Sequence, residues 1–140
     1  MLKLNIYIVE DNELMAAALK HMLLSLGHHV CGSSATYQKA VDELHKTAAD
    51  LVITDIMITG EKNGIDLGHY LKIHLKIPFI YLSSITSSKM IRAALDNLPD
   101  DYLFKPISKM TLAEAIANFQ NKTEIELSIK KNLAAYYPRL

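Results

Sequence analysis

At 140 residues the chain is about one domain long, and half of its residues are hydrophobic, enough for a sizeable core. Lys plus Arg and Asp plus Glu number 15 each, so the formal net charge is zero, which argues against a nucleic-acid or membrane surface as the principal partner. Cys31 is the single cysteine, no apolar run approaches the roughly 18 residues of a membrane span, and Glu10 and Asp11 come too early for a signal peptide, so a cytoplasmic α/β domain is expected.

The first apolar run, residues 4–9, reads as a strand and runs directly into Glu10, Asp11 and Glu13. Met15, Leu19, Met22, Leu23 and Leu26 then share one helical face, which Gly27 can terminate. A weaker strand follows at 30–34 and a second helix at 36–48. The run "LVITD" (51–55) is a third strand, and Leu67, Leu71 and Leu75 mark a third helix after Gly64. "FIYLSS" (79–84) is the fourth strand. Ile91, Leu95 and Leu98 mark a fourth helix ended by Pro99, "DYLF" (101–104) is the fifth strand, and Leu112, Ile116 and Phe119 lie on a fifth helix. The three strongest strands are nearly continuous apolar runs, as in parallel strands covered on both faces. Five β-then-α units imply right-handed crossovers and an open, doubly wound parallel sheet.

Beyond residue 121 the stripe changes phase, to Ile125, Ile129 and Leu133, and Thr123 with Glu126 has the spacing of a capping box. An additional helix or helical linker over 124–137 is expected, giving two segments, 1–121 and 122–140. Gly60 and Gly64, in the loop after the third strand, are expected to provide turns open to positive φ.

Sites in such sheets form at the carboxyl ends of the strands. The first strand ends in Glu10 and Asp11, the third in Asp55, the fourth in Ser83 and Ser84, and the fifth in Lys105 before Pro106. With the first and third strands adjacent, three carboxylates converge, and a hard divalent cation with oxygen ligands, Mg2+, relieves their repulsion. The six histidines show no metal-binding spacing. A phosphatase using Asp55 as nucleophile would want an acid at position 57, where Met stands. A flavin carrier would want Gly, Ser and Thr where Glu10-Asp11-Asn12 stands.

The segments "VEDN" (9–12), "ITDIMITG" (53–60), "YLSS" (81–84) and "DYLFKPIS" (101–108), in this order, resemble the receiver domain of two-component response regulators over about residues 3–121. The resemblance implies a flavodoxin-like (βα)5 fold of strand order 2-1-3-4-5. It makes Asp55 the phosphoacceptor for a sensor histidine kinase, with Glu10, Asp11, Asp55 and the Met57 main-chain carbonyl holding Mg2+, for which Mn2+ could substitute. It also implies that Lys105 balances the phosphoryl charge, that Ser83 and Tyr102 switch together, and that the bond to Pro106 is cis. The chain would be a phosphoacceptor rather than an ordinary enzyme, catalysing its own phosphorylation and slow dephosphorylation. It would re-shape the face around residues 86–109 to control an output domain or protein target, by family analogy transcriptional, without itself contacting nucleic acid. Alternatives are a stand-alone receiver acting through protein contacts and a phosphorelay intermediate, and a homodimer is a further candidate assembly. Met57 and Ile85, which should flank the phosphoryl group, cannot orient an attacking water, so a long-lived phosphorylated state is expected.

Overall fold

The computed structural model describes residues 2–136. The chain separates into two compact units, Leu2–Ile107 and the segment beginning at Ser108.

The larger unit holds five strands, β1 (Asn5–Val9), β2 (His29–Ser34), β3 (Leu51–Asp55), β4 (Phe79–Ser83) and β5 (Asp101–Phe104). They form one parallel sheet in the order β2-β1-β3-β4-β5. This is the flavodoxin-like order that the resemblance to receiver domains implies. Every residue of β3 and β4 is buried, as continuous apolar runs require. The side-chain period of two divides the sheet into two faces. Tyr7, Val9, Val52, Phe79 and Tyr81 join the core with Ala40, Val41 and Leu44 of α2 (Tyr37–Leu44), Leu67 of α3 (Gly64–Tyr70) and Ala94 of α4 (Ser88–Leu95). Ile6, Ile8, Ile53 and Ile80 alternate with them and are fully buried. Leu19 and Leu23 are the buried residues of α1 (Glu13–Ser25), which contacts β1 and β2.

Four of the helices start behind a polar residue that caps them. Asn12, Thr36, Asn63 and Ser87 each accept a hydrogen bond from a backbone N–H in the first turn, satisfying donors the helix cannot. At α3 the box is complete, because Asp66 accepts in return from the Asn63 N–H. Gly27, at φ +89°, stops α1 as its position suggested.

Several boundaries differ from the sequence reading. The second helix ends at Leu44 rather than 48, and α3 runs into a π-helical segment, Leu71–Leu75, closed by Lys76 in the left-handed conformation. The fourth helix stops at Leu95. Leu98, which fits its apolar stripe, instead takes φ +54° and is 70% exposed.

The second unit is dominated by α5 (Lys109–Tyr136), 28 residues long. Leu112, Ala115, Ile116 and Phe119 are buried on it, whereas Ile125, Ile129, Leu133 and Tyr136 are exposed. The helix does not restart near Thr123. That hydroxyl donates to the Phe119 carbonyl at 3.0 Å, one turn back, instead of capping a new N-terminus. The expected extra helix is therefore a continuation of the fifth, and its last expected residue, 137, lies outside the described residues.

Candidate functional site

The strand ends bring together four of the residues singled out in the sequence. Glu10, Asp11 and Asp55 each offer a carboxylate oxygen, all within 4.8 Å of one another. Glu10 and Asp55 are buried, while Asp11 is exposed. Lys105 lies between the two buried acids, its Nζ 2.7 Å from Asp55 Oδ2 and 2.8 Å from Glu10 Oε2. Backbone amides hold the opposite oxygens. The Asn12 N–H donates to Glu10 Oε1 at 3.2 Å and the Met57 N–H to Asp55 Oδ1 at 3.1 Å.

These groups are fixed by the sheet. The Glu10 N–H donates to the Ser34 carbonyl, the Ile56 N–H to Leu82 and the Lys105 N–H to Ser83, so β2, β4 and β5 register the site against one another. Ser83 is fully buried at the end of β4, and its Oγ accepts from the Ile85 N–H at 2.9 Å. Tyr102 pairs with Tyr81 across β4 and β5, with ring centroids 6.1 Å apart, and its ring lies 5.1 Å from that of Phe104. The Tyr102 hydroxyl is buried and has no hydrogen-bond partner among the described residues. The Lys105–Pro106 peptide is cis.

The electrostatics are those of an under-neutralised cluster, three carboxylates against one ammonium. Burial pushes the Glu10 carboxyl above its ordinary range, the Lys105 hydrogen bond opposes this, and the negative Asp55 raises it further. For Lys105, burial favours the neutral amine, but hydrogen bonds to Asp55 and Glu10 outweigh it and hold the ammonium charged to higher pH than usual. An all-oxygen donor set with excess negative charge suits a hard cation that keeps part of its water shell, as Mg2+ does. The group therefore fits the metal that the sequence suggested. No other group of three or more His, Cys, Asp and Glu side chains among the described residues converges in this way. His28, for instance, is buried, and its Nδ1 accepts from the Leu4 N–H.

The loop between β3 and α3 corrects one expectation and adds one residue. Gly60 does take a positive φ, +115°, but Gly64 does not. A Cβ at 64 would overlap the Asp55 carbonyl oxygen and come within 2.7 Å of Ile56 Cα, so glycine is needed there for close approach. The Gly64 N–H donates to the Ile56 carbonyl at 2.7 Å, seating the start of α3 against the backbone that directly follows Asp55. Thr59, which the sequence reading passed over, donates from its hydroxyl to Asp11 Oδ2 at 3.0 Å.

The model of the response regulator receiver domain matches residues 6–117 of the chain. The chain belongs to this family. As a CheY-like receiver of a two-component system, it is 28% identical over 112 residues to the chemotaxis protein CheY of Thermotoga maritima, a match covering 79% of this chain and 92% of that one. It is 31% identical over 127 residues to the transcriptional regulatory protein PdtaR of Mycobacterium tuberculosis, covering 86% of this chain and 60% of PdtaR. The receiver thus spans about three fifths of that relative's length. Among solved structures, the signal receiver domain of a modulated diguanylate cyclase from Desulfovibrio desulfuricans G20 superposes with a TM-score of 0.84 at 30% identity, covering 89% of this chain and 99% of that one. No helix among the described residues of the receiver is long and apolar enough to cross a membrane.

Proposed function

We propose that Asp55 accepts a phosphoryl group from a phosphohistidine of a sensor histidine kinase, and that residues 1–121 form the acceptor domain with 122–140 as a C-terminal extension or linker, helical as far as Tyr136. The observation that carries this reading is the bridge of Lys105 Nζ between Asp55 and Glu10 with Asp11 alongside, a fixed cation beside three acids at the end of the sheet. In the transfer, an Asp55 carboxylate oxygen attacks phosphorus, the P–N bond to imidazole breaks, and an acyl phosphate forms. Glu10, Asp11, Asp55 and the Met57 main-chain carbonyl would hold Mg2+, or Mn2+ in its place, and the bound ion would supply charge neutralisation for the transferring phosphoryl oxygens. The Lys105 ammonium, already hydrogen-bonded to Asp55, exchanges that partner for a phosphoryl oxygen. Ser83 Oγ gives up the Ile85 N–H and donates to another of those oxygens. Tyr102 turns with it, and the population shifts towards an arrangement with a changed surface around residues 86–109. The reading extends to an output domain or protein target, transcriptional by analogy with PdtaR. A stand-alone receiver or phosphorelay intermediate uses the same chemistry and differs only in what reads that surface.

Intact mass after incubation with acetyl phosphate, with and without Mg2+, tests the reading. One added phosphoryl group that requires both Mg2+ and Asp55 is expected. Equal labelling of Asp55→Asn, or a folded wild type that takes up no phosphoryl group from acetyl phosphate or any histidine kinase, overturns it.

A further inference from the structure

The two buried carboxylates are each held from two sides, by Lys105 and by a backbone amide. Asp11 is different. It is the exposed acid of the three, it forms no ion pair with Lys105, and its hydrogen-bond partner among the described residues is the Thr59 hydroxyl, 48 positions away. That hydroxyl is delivered by a pinned backbone. Thr59 forms an isolated parallel bridge with Thr36, the N-cap of α2, and Gly60 turns the chain away at φ +115° immediately afterwards.

Two physical consequences follow from a hydroxyl in this place. An exposed aspartate samples several rotamers, and a donor on one of its oxygens restricts them and holds the carboxylate in one orientation beside the cluster. Because the donor is uncharged, it orients Asp11 without cancelling the negative charge that attracts a cation, as a lysine there would. A donor already on Oδ2 competes with a cation for that oxygen and so favours ligation through one Asp11 oxygen over ligation through both. That suits Mg2+, which demands compact octahedral geometry, better than Ca2+, which readily takes both oxygens of a carboxylate.

We propose that Thr59 is a positioning residue that fixes Asp11 as a one-oxygen ligand and thereby sets both the affinity and the Mg2+-over-Ca2+ selectivity of the site. The proposal rests on the reading of Glu10, Asp11 and Asp55 as the Mg2+ site.

The test is isothermal titration of the whole chain with MgCl2 and with CaCl2 at fixed ionic strength, on wild type, Thr59→Val, Thr59→Ser and Asp11→Asn. Thr59→Val keeps the branched shape and the backbone bridge and removes only the hydroxyl. Its Mg2+ affinity is expected to fall about tenfold, the low end of losses seen when a ligand-orienting group is removed. Ca2+ binding changes less, so the selectivity ratio narrows, and Thr59→Ser retains wild-type behaviour. Unfolding midpoints in metal-free buffer separate a folding defect from a binding one, and should Thr59→Val fail to fold, Thr59→Ala carries the same expectation. Wild-type affinity and selectivity in the hydroxyl-free variant, with binding lost in Asp11→Asn, overturns the role of Thr59 and leaves the site intact. A wild type that takes up no Mg2+ overturns the site itself, and this proposal with it.

Discussion

Replacing Gly64 with alanine separates two reasons for a glycine in the β3–α3 loop. At position 64 the obstacle is volume, since the new methyl meets the Asp55 carbonyl oxygen and Ile56 Cα, both main-chain atoms that cannot swing aside. Relief requires the start of α3 to retreat by about 1 Å, which overpacks its surroundings at a cost of roughly 1–3 kcal/mol. It also weakens the 2.7 Å bond from the Gly64 N–H to Ile56 and the Asn63–Asp66 capping box, each worth about 1 kcal/mol. The lower entropy of an unfolded alanine returns about 0.4–1 kcal/mol, so the net loss is about 3 kcal/mol, a large share of a typical domain's stability. At position 60 the space is open and only the positive φ resists a side chain, costing about 1–2 kcal/mol. Urea unfolding followed by circular dichroism measures both. The expected result is a midpoint lowered at least half as much again in Gly64→Ala as in Gly60→Ala, with unchanged slope and slower labelling of Asp55 by acetyl phosphate in Gly64→Ala. Equal or smaller destabilisation at 64 refutes the steric argument.

Other outcomes follow from single features. Leu98→Gly relieves a bulky residue at φ +54° that is already 70% exposed; after the glycine's own entropy cost, stability should rise by about 0.5–1 kcal/mol and Tm by roughly 2–4 °C, and an unchanged or lower Tm contradicts this. Tyr102→Phe removes a buried hydroxyl without a partner among the described residues, so stability should hold or gain up to about 1 kcal/mol; a loss larger than that shows that the hydroxyl is bonded. Lys105 has a raised folded pKa, so its contribution is fully present below its unfolded value of 10.5 and is lost as pH climbs through the higher folded value. The stability gap between wild type and Lys105→Met should therefore be constant from roughly pH 7 to 9 and close only above about 10.5; a gap that closes below that range assigns it to another group. Met57 and Ile85 supply no polar group to orient water, so the Asp55 phosphoryl should persist for minutes or longer and decay faster in Met57→Asn; wild-type loss within seconds, read by intact mass, sinks that account.

Much of the acid cluster was legible in the sequence because its members sit at or just beyond the end of a largely apolar strand. Val9–Glu10 and Thr54–Asp55 mark where a strand's sequence turns acidic, and parallel strands stop at the same edge of the sheet. Thr59 was not legible. Nothing local to "MITG" shows that its hydroxyl returns to Asp11, because the path depends on the bridge to Thr36 and the turn at Gly60. Gly64 was read as conformational freedom when its reason is the nearness of another segment, which a one-dimensional pattern does not carry. Thr123 and Glu126 have capping-box spacing, but a cap forms only where the preceding backbone is not helical. With the turn before it already wound, the hydroxyl turned back to Phe119. Leu98 extended an apolar stripe correctly in spacing, yet Pro99 next to it disfavours the helical conformation there.

The continuity of α5 has a geometric consequence. At 1.5 Å and 100° per residue, its 28 residues form a rod about 42 Å long. The buried stripe of Leu112, Ile116 and Phe119 and the exposed stripe of Ile125, Ile129 and Leu133 are locked at a fixed azimuth, roughly 110° apart. Such a rod behaves like a keyed shaft. One residue inserted after Asn121 turns the exposed stripe by about 100° and advances it 1.5 Å, whereas seven inserted residues bring it back to within about 20° of its bearing. The bearing of Ile125, Ile129 and Leu133 thus depends on the count of residues in this helix modulo its turn, and not on which helix-forming residues fill the positions between.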